Sequence, residues 1–383
     1  VSSASLPYGR QSIDDDDVAA VVEVLRSDWL TTGPAVPAFE QALARTTGAK
    51  EAVAVSNGTA ALHAAMHVLD VGPGDEVITP TLTFAASANC AVYQGARPVF
   101  ADVDPATLLL DPASVARLLT PRTKAVVAVD YAGQPCDYEA LRRVLAGRDV
   151  ALVADAAHAL GASDRGVPAG RLADVSTFSF HPVKHITTAE GGALVTDDPE
   201  RARRARVFRN HGITTDHRQR ERAGTWTYDM VTLGYNYRLS DLQCALGRSQ
   251  LSKLPGWLAR RRALARLYDE RLREVPGVRP LVTRAGVEHA YHLYVVRLDD
   301  PTARDAVMTA LRARGIGVNL HYRPVHLHPY YRERFATHEG QCPVAEDAWT
   351  RLISLPMFPG LMDDDVVRVV DSLRAALGAG APG

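Results

Sequence analysis

The sequence predicts an α/β fold: a seven-stranded, mostly parallel sheet covered by helices, followed by a smaller C-terminal α+β domain. Three observations carry this prediction. Seven short apolar runs punctuate the first two thirds of the 383 residues. Segments of helical period lie between most of them. From Ser240 the alternation gives way to one long helical pattern.

The runs are "EAVAVS" (51–56), "EVITP" (76–80), "PVFAD" (98–102), "AVVAVD" (125–130), "ALVADA" (151–156), "VSTFSF" (175–180) and "GALVTD" (192–197). They are apolar with little polar alternation, as strands buried on both faces are. "GTAALHAAMHVL" and "YEALRRVLAGR" are among the helices expected to cross between them. In such sheets ligands bind at the carboxyl ends of the strands. Asp14–Asp17 and Asp363–Asp365 read as helix N-termini favoured by the dipole rather than as metal sites. "RSDWLTTGP" (26–34) and residues 212–229 read as loops. "SDLQCALGRSQLSKLPGWLARRRALARLYDERL" reads as a long helix interrupted near Pro255. After it come a strand in "YHLYVVRLD", a helix in "TARDAVMTALRARG", a strand in "GVNLHY" and closing helices beyond Val344 and Asp363. The expected division is 1–250 for the large domain and 251–383 for the small one, with "GAGAPG" (378–383) a frayed tail.

A formal net charge of -1 gives no electrostatic reason to expect nucleic acid or an anionic membrane as partner. The densest basic run, "ERARRARVFRN", reads as a solvated helix face. Cys90, Cys136, Cys244 and Cys342 lie far apart with no CxxC pair. That argues against a zinc ribbon or disulfide scaffold and suits a reducing cytoplasm. No apolar leader and no membrane-length apolar stretch are visible, so a cytoplasmic location is expected.

Three stretches carry chemistry. In "SNGTAALH" a strand ending in small and hydroxyl residues opens into a helix, presenting unpaired backbone N–H groups to an anion; a capped helix start without ligand fits equally well. In "ALVADAAHALG" Asp155 ends a buried strand, as a helix cap or as partner of a ligand's cationic nitrogen. In "SFHPVKHITTAEGGALVTDD" Lys184 follows the next strand. It is one of only four lysines, with Lys50, Lys124 and Lys253, in a chain whose other cations of this kind are arginine. A surface cation can be either residue, but an imine-forming amine must be lysine. A phosphate cradle, a carboxylate and an amine after successive strands form a reception site for pyridoxal 5'-phosphate (PLP).

These stretches, with "YGRQSID", "LTTGP", "TFAASAN", "RNHGI", "GYNYRLSDLQCALGRSQL" and "HYRPVHLHPYY", resemble the DegT/DnrJ/EryC1/StrS family of sugar aminotransferases nearly end to end. The resemblance implies the aspartate-aminotransferase type of PLP fold (fold type I), and it implies roles. Lys184 resembles the imine lysine and Asp155 the partner of the pyridine nitrogen. His158 matches a side chain near the cofactor's phenolic oxygen. Gly58, Thr59 and Ser179 match phosphate contacts, and Phe84 an aromatic stacked on the ring. Asn236 matches a residue that reaches the phosphate from a neighbouring subunit, which implies a homodimer with shared sites. Arg238, His321, Tyr322 and His326 are candidate substrate contacts, and no metal is expected. The chain departs from the family's usual pattern at Ala154, where Glu is common, and in "TAEGG", where "TGEGG" is common.

The implied activity is transamination of a nucleotide-linked keto sugar, with glutamate or glutamine as donor. Four segments, "YGRQSID", "DYAGQPCD", "SFHPVKHITT" and "HYRPVHLHPYY", look closest to the branch that aminates C4 of a UDP-linked 4-keto-6-deoxy-N-acetylhexosamine toward pseudaminic acid. Another dTDP- or UDP-ketohexose, or a ketocyclitol, is the alternative. A related dehydratase subgroup carries histidine at the imine position. Here the "HPVKHITT" register puts Lys184 there, with His185 beside it. A PLP-binding regulatory protein without turnover is the rival of another class.

Overall fold

The computed structural model describes residues 5–215 and 217–378; the first four residues and the tail 379–383 lie outside them. All seven predicted strands form: β1 (Glu51–Val55), β2 (Glu76–Pro80), β3 (Arg97–Ala101), β4 (Thr123–Val129), β5 (Ala151–Asp155), β6 (Val175–Ser179) and β7 (Gly192–Thr196). They make one sheet in the order β1-β7-β6-β5-β4-β2-β3. Only β7 runs against its neighbours; the other pairings are parallel. Nearly every residue of β2, β4, β5, β6 and β7 is buried, which explains their unbroken apolar runs.

Because β7 is antiparallel, its first residue, Gly192, lies at the carboxyl end of its parallel neighbour. It pairs with Val55 on one side and Ser179 on the other. The ends of β1, β5 and β6 and the start of β7 therefore meet on one edge, where "SNGT", Asp155 and the Lys184 loop emerge.

Asp14 caps the helix Asp15–Leu25 in a reciprocal capping box with Asp17. The "ERARRARVFRN" helix spans Pro199–Phe208. Its arginines meet carboxylates on their own and neighbouring elements: Arg203 with Glu200, Arg204 with Asp70, Arg206 with Glu51. That leaves the predicted solvated face largely neutralised. All four cysteines are free and buried.

Three expectations change. Pro255 does not interrupt the long helix, which runs unbroken over the 32 residues Asp241–Leu272. Pro255 sits on its exposed side, while Leu251, Leu254, Leu258, Leu264 and Tyr268 bury the opposite stripe. Burial along the whole stripe outweighs the one lost backbone hydrogen bond. "GVNLHY" forms no strand. Gly317 bonds back to Leu6 and Asn319 makes an isolated bridge to Ser354, after which the chain turns into the site. The expected loop 212–229 contains a short helix, His217–Ala223.

The long helix joins two cores. Leu251, Leu254 and Leu258 pack in the core around the large sheet. Leu264, Tyr268 and Leu272 pack in a second core with the three-stranded sheet of Val278–Pro280, Tyr294–Leu298 and Leu352–Leu355. The expected division at residue 250 falls inside this helix. Leu6 packs in the second core, while Val325, Tyr331 and Ala345 return to the first. The cores are thus interleaved in sequence.

Candidate active site

A cavity of about 660 Å³ opens where β5, β6 and the "SNGT" turn meet. Its wall includes Gly58, Thr59, Phe84, Asp155, His158, Ser179, Lys184, His321 and Tyr322. The structure thus brings nine of the twelve predicted site residues to one place.

Asn57 caps the helix Gly58–Val68, its side chain accepting from the Ala60 N–H and its carbonyl from the Ala61 N–H. The cap therefore uses the third and fourth N–H groups, and those of Gly58 and Thr59 stand at the cavity wall. The turn is packed so closely that glycine is required opposite it. A Cβ on Gly192 would lie 2.4 Å from the Asn57 carbonyl carbon and 2.6 Å from the Gly58 nitrogen. Gly192→Ala is expected to displace this cradle and weaken PLP binding at least about tenfold, read by equilibrium titration of cofactor absorbance. Unchanged affinity would detach the turn from phosphate binding.

Asp155 caps no helix, because residues 156–162 form turns. One carboxylate oxygen accepts from the Ser87 hydroxyl at 2.6 Å and the other from the Ala157 N–H at 3.3 Å. Burial pushes its pKa up, against these hydrogen bonds and the Lys184 charge. A carboxylate held this way is short of a cation.

Lys184 is half-buried on the loop between β6 and β7. The loop is cross-tied: Lys184 N–H donates to the His181 carbonyl and Thr188 N–H to the Phe180 carbonyl. Burial pushes the amine's pKa down to about 8, opposed by Asp155. Beside it, His158 is buried, its Nε2 3.2 Å from the Tyr322 hydroxyl and its Nδ1 without a partner. Burial and then the Lys184 charge hold this imidazole well below the usual histidine range, hence neutral. Phe84 stays 61% exposed at the mouth, its ring centroid 6.1 Å from that of Tyr322.

These features fit PLP: bare helix N–H groups for a phosphate, a desolvated carboxylate for a protonated ring nitrogen, and an orphaned histidine nitrogen for a polar substituent.

Three predicted residues lie elsewhere. His326 is fully buried, hydrogen-bonded to Thr81 at 2.5 Å and Glu346 at 2.9 Å. Both its nitrogens are used inside the fold, so it braces the 320–328 segment instead of facing the cavity. Asn236 is exposed and pairs with Asn210 through the backbone. Arg238 donates to the Asn210 side chain and borders a separate cavity of about 350 Å³ with Glu40 and Arg209. Sequence reading missed Tyr8, Asn319 and His292 on the cavity wall and Ser87 behind Asp155. Tyr8 and Ser87 lie in the resembling stretches "YGRQSID" and "TFAASAN", but only the fold brings residue 8 or 292 beside residue 184. Among the described residues no cluster suited to a metal ion occurs, and no helix is long and apolar enough to cross a membrane.

The model of the DegT/DnrJ/EryC1/StrS aminotransferase family matches residues 11–374. The chain belongs to that family. It is a PLP-dependent sugar aminotransferase with the fold of that group. It is 41% identical over 375 residues to the spore coat polysaccharide biosynthesis protein SpsC of Bacillus subtilis, covering 96% of each chain. Helicobacter pylori PseC, an aminotransferase involved in the biosynthesis of pseudaminic acid, superposes with a TM-score of 0.92 at 32% identity, over 98% of this chain and 100% of that one. Spr1654 of Streptococcus pneumoniae in its PMP-form superposes with a TM-score of 0.93 at 32% identity, over 98% and 99%.

Proposed function

We propose that this aminotransferase aminates C4 of a UDP-linked 4-keto-6-deoxy-N-acetylhexosamine, taking the amino group from glutamate or glutamine. The observation that carries the reading is where the resembling segments fall. "YGRQSID" supplies Tyr8, "SFHPVKHITT" supplies Ser179, His181 and Lys184, and "HYRPVHLHPYY" supplies His321 and Tyr322 to the cavity wall. The fourth segment, "DYAGQPCD", holds that wall, since the Tyr131 hydroxyl donates to the His321 carbonyl. The segments closest to the pseudaminic-acid branch are thus those that surround the reacting amine, and the likeness to PseC extends along the whole chain. Hydroxyl, amide and imidazole groups line this wall and no arginine does, which suits a sugar ring better than a second phosphate.

PLP supplies an electron sink for the carbanion formed when the donor's α-proton leaves. The chain does the rest. Lys184 would hold the cofactor through its amine and, with that amine free, would move the proton as general base and general acid. Asp155 would keep the ring nitrogen protonated, Gly58, Thr59 and Ser179 would hold the phosphate, and His158 would face the phenolic oxygen. Phe84 would cover the ring. Asn236, exposed and outside this cavity, reaches the phosphate of a second copy, giving a homodimer with shared sites. Arg238, two residues on, offers a carboxylate or phosphate contact at the same junction. The free, buried cysteines agree with a cytoplasmic enzyme.

The test loads the enzyme in its pyridoxamine form and adds UDP- and dTDP-linked 4-keto and 3-keto sugars in turn, following return of the pyridoxal spectrum. The UDP-4-keto-6-deoxy-N-acetylhexosamine is expected to restore it fastest. Restoration by a ketocyclitol alone would overturn the assignment.

A further inference from the structure

Lys184 has one side-chain hydrogen-bond contact beyond its own loop. Its Nζ lies 3.5 Å from Nε2 of His292, which stands just before the strand Tyr294–Leu298 and comes from a segment 108 residues further along the chain. We propose that His292 is a positioning residue for the Lys184 amine: its uncharged imidazole accepts a hydrogen bond from the amine whenever the amine is free of cofactor, and so holds the proton carrier in reach. This rests on Lys184 being the reacting amine, and it is independent of which sugar is used.

Four features support it. His292 is buried, and the groups around it are basic or neutral. The His158 ring centroid is 4.3 Å away and that of His185 is 5.6 Å away, while Arg261 donates to the His292 carbonyl at 3.4 Å. Burial first, then Lys184 and these neighbours, hold its imidazole far below the usual range, so it can accept from an amine at neutral pH. The carboxylate whose charge acts on Lys184, Asp155, accepts from Ser87 and Ala157. The backbone of His292 is also fixed. Arg261, fully buried on the long helix, donates to the carbonyls of Tyr291, His292 and Met357.

The chemistry gives the contact a purpose. A lysine that leaves the cofactor and then carries a proton must not wander, yet its four-carbon stem has rotamer freedom worth about 2 kcal/mol. A fixed acceptor narrows that freedom and needs no charge of its own. A carboxylate in the same place would hold the amine protonated and unable to act as base.

The test compares His292→Gln, which keeps an acceptor, with His292→Met, which keeps volume but has no nitrogen. The Lys184 titration midpoint is read in the full-length, cofactor-free chain by trace acetylation and peptide mass spectrometry, with exposed Lys50 as internal reference. A hydrogen bond to the charged amine favours that form, so losing it lowers the midpoint. His292→Met is expected to lower it from about 8 by roughly one pH unit, and His292→Gln to leave it within roughly half a unit. In the loaded enzyme His292→Met lowers kcat at least about tenfold with KM changed less than about threefold, and Gln restores part of the loss. A midpoint unchanged or raised in folded His292→Met overturns the proposal. A wild-type enzyme that turns over with no Lys184-dependent imine absorbance would instead overturn the reading on which it rests.

Discussion

Lys184→Ala is expected to lower transamination by at least about 10⁴-fold while the protein still folds. The two halves of this statement have separate causes. Activity falls because the proposed mechanism gives the amine two tasks, imine formation and proton transfer, and no neighbour can take over both. His158, His185 and His292 are kept neutral by burial, but imidazoles form no stable imine with a carbonyl. The fold survives because the loop is held by its backbone, through the His181 and Phe180 carbonyls, and not by the amine. Removing a partly desolvated amine also removes a burden from the folded state, since burial already opposes its charge. The measurements are the ~400 nm imine absorbance, single-turnover rates with donor, and the thermal midpoint of the cofactor-free chain. Small primary amines added to Lys184→Ala are expected to restore part of the proton transfer, while Lys184→Arg stays inactive because a guanidinium is too weak a nucleophile and base. Turnover by Lys184→Ala near the wild-type rate would remove Lys184 from the mechanism.

Asp155→Asn is expected to cost roughly 10²- to 10³-fold in the rate of the donor half-reaction, the scale of about 3–4 kcal/mol lost when one partner of a buried charge pair is removed. Asn matches Asp in shape and can still accept from Ser87, so the change removes the charge and, of the hydrogen bonds, only the 3.3 Å one from the Ala157 N–H, which would face the amide NH2. The same substitution should stabilise the cofactor-free chain. Burial raises the folded Asp155 pKa above its ordinary value, so the folded state holds that proton more tightly than the unfolded one. Stability therefore falls as pH rises from the ordinary Asp range toward the raised value, and Asn escapes that loss. A higher thermal midpoint at neutral pH joined to a slower half-reaction is the expected signature; an equal rate in Asp155→Asn would end the role given to this carboxylate. With the role proposed for it, Asp155 would be a polar group that disfavours the empty fold and favours the chemistry.

Much of this was legible before folding. The seven strands could be read because a sheet covered on both faces needs unbroken apolar runs, and each run stopped within a residue or two of its observed end. The helix start at Asp14–Asp17 was legible for a similar reason, since what favours it acts between near neighbours in sequence, though the capping box itself was not read. Pro255 misled because its local cost is real, while the stripe from Leu251 to Tyr268 that offsets it depends on two cores the sequence does not display. His326 misled because a histidine beside substrate-like residues looks the same in sequence whether its nitrogens face a cavity or are spent on Thr81 and Glu346.

The sequence by itself determined the fold class and the family, because strand burial, helix caps and the family's short contiguous motifs are local facts. Tertiary structure alone decided that Gly192 must be glycine against the "SNGT" turn, that His158 meets Tyr322, and that Lys184 lies beside His292. These are contacts between residues more than 100 positions apart. The antiparallel β7 and the long helix from Asp241 bring them together, and no local pattern records which distant side chain will fill the space they leave.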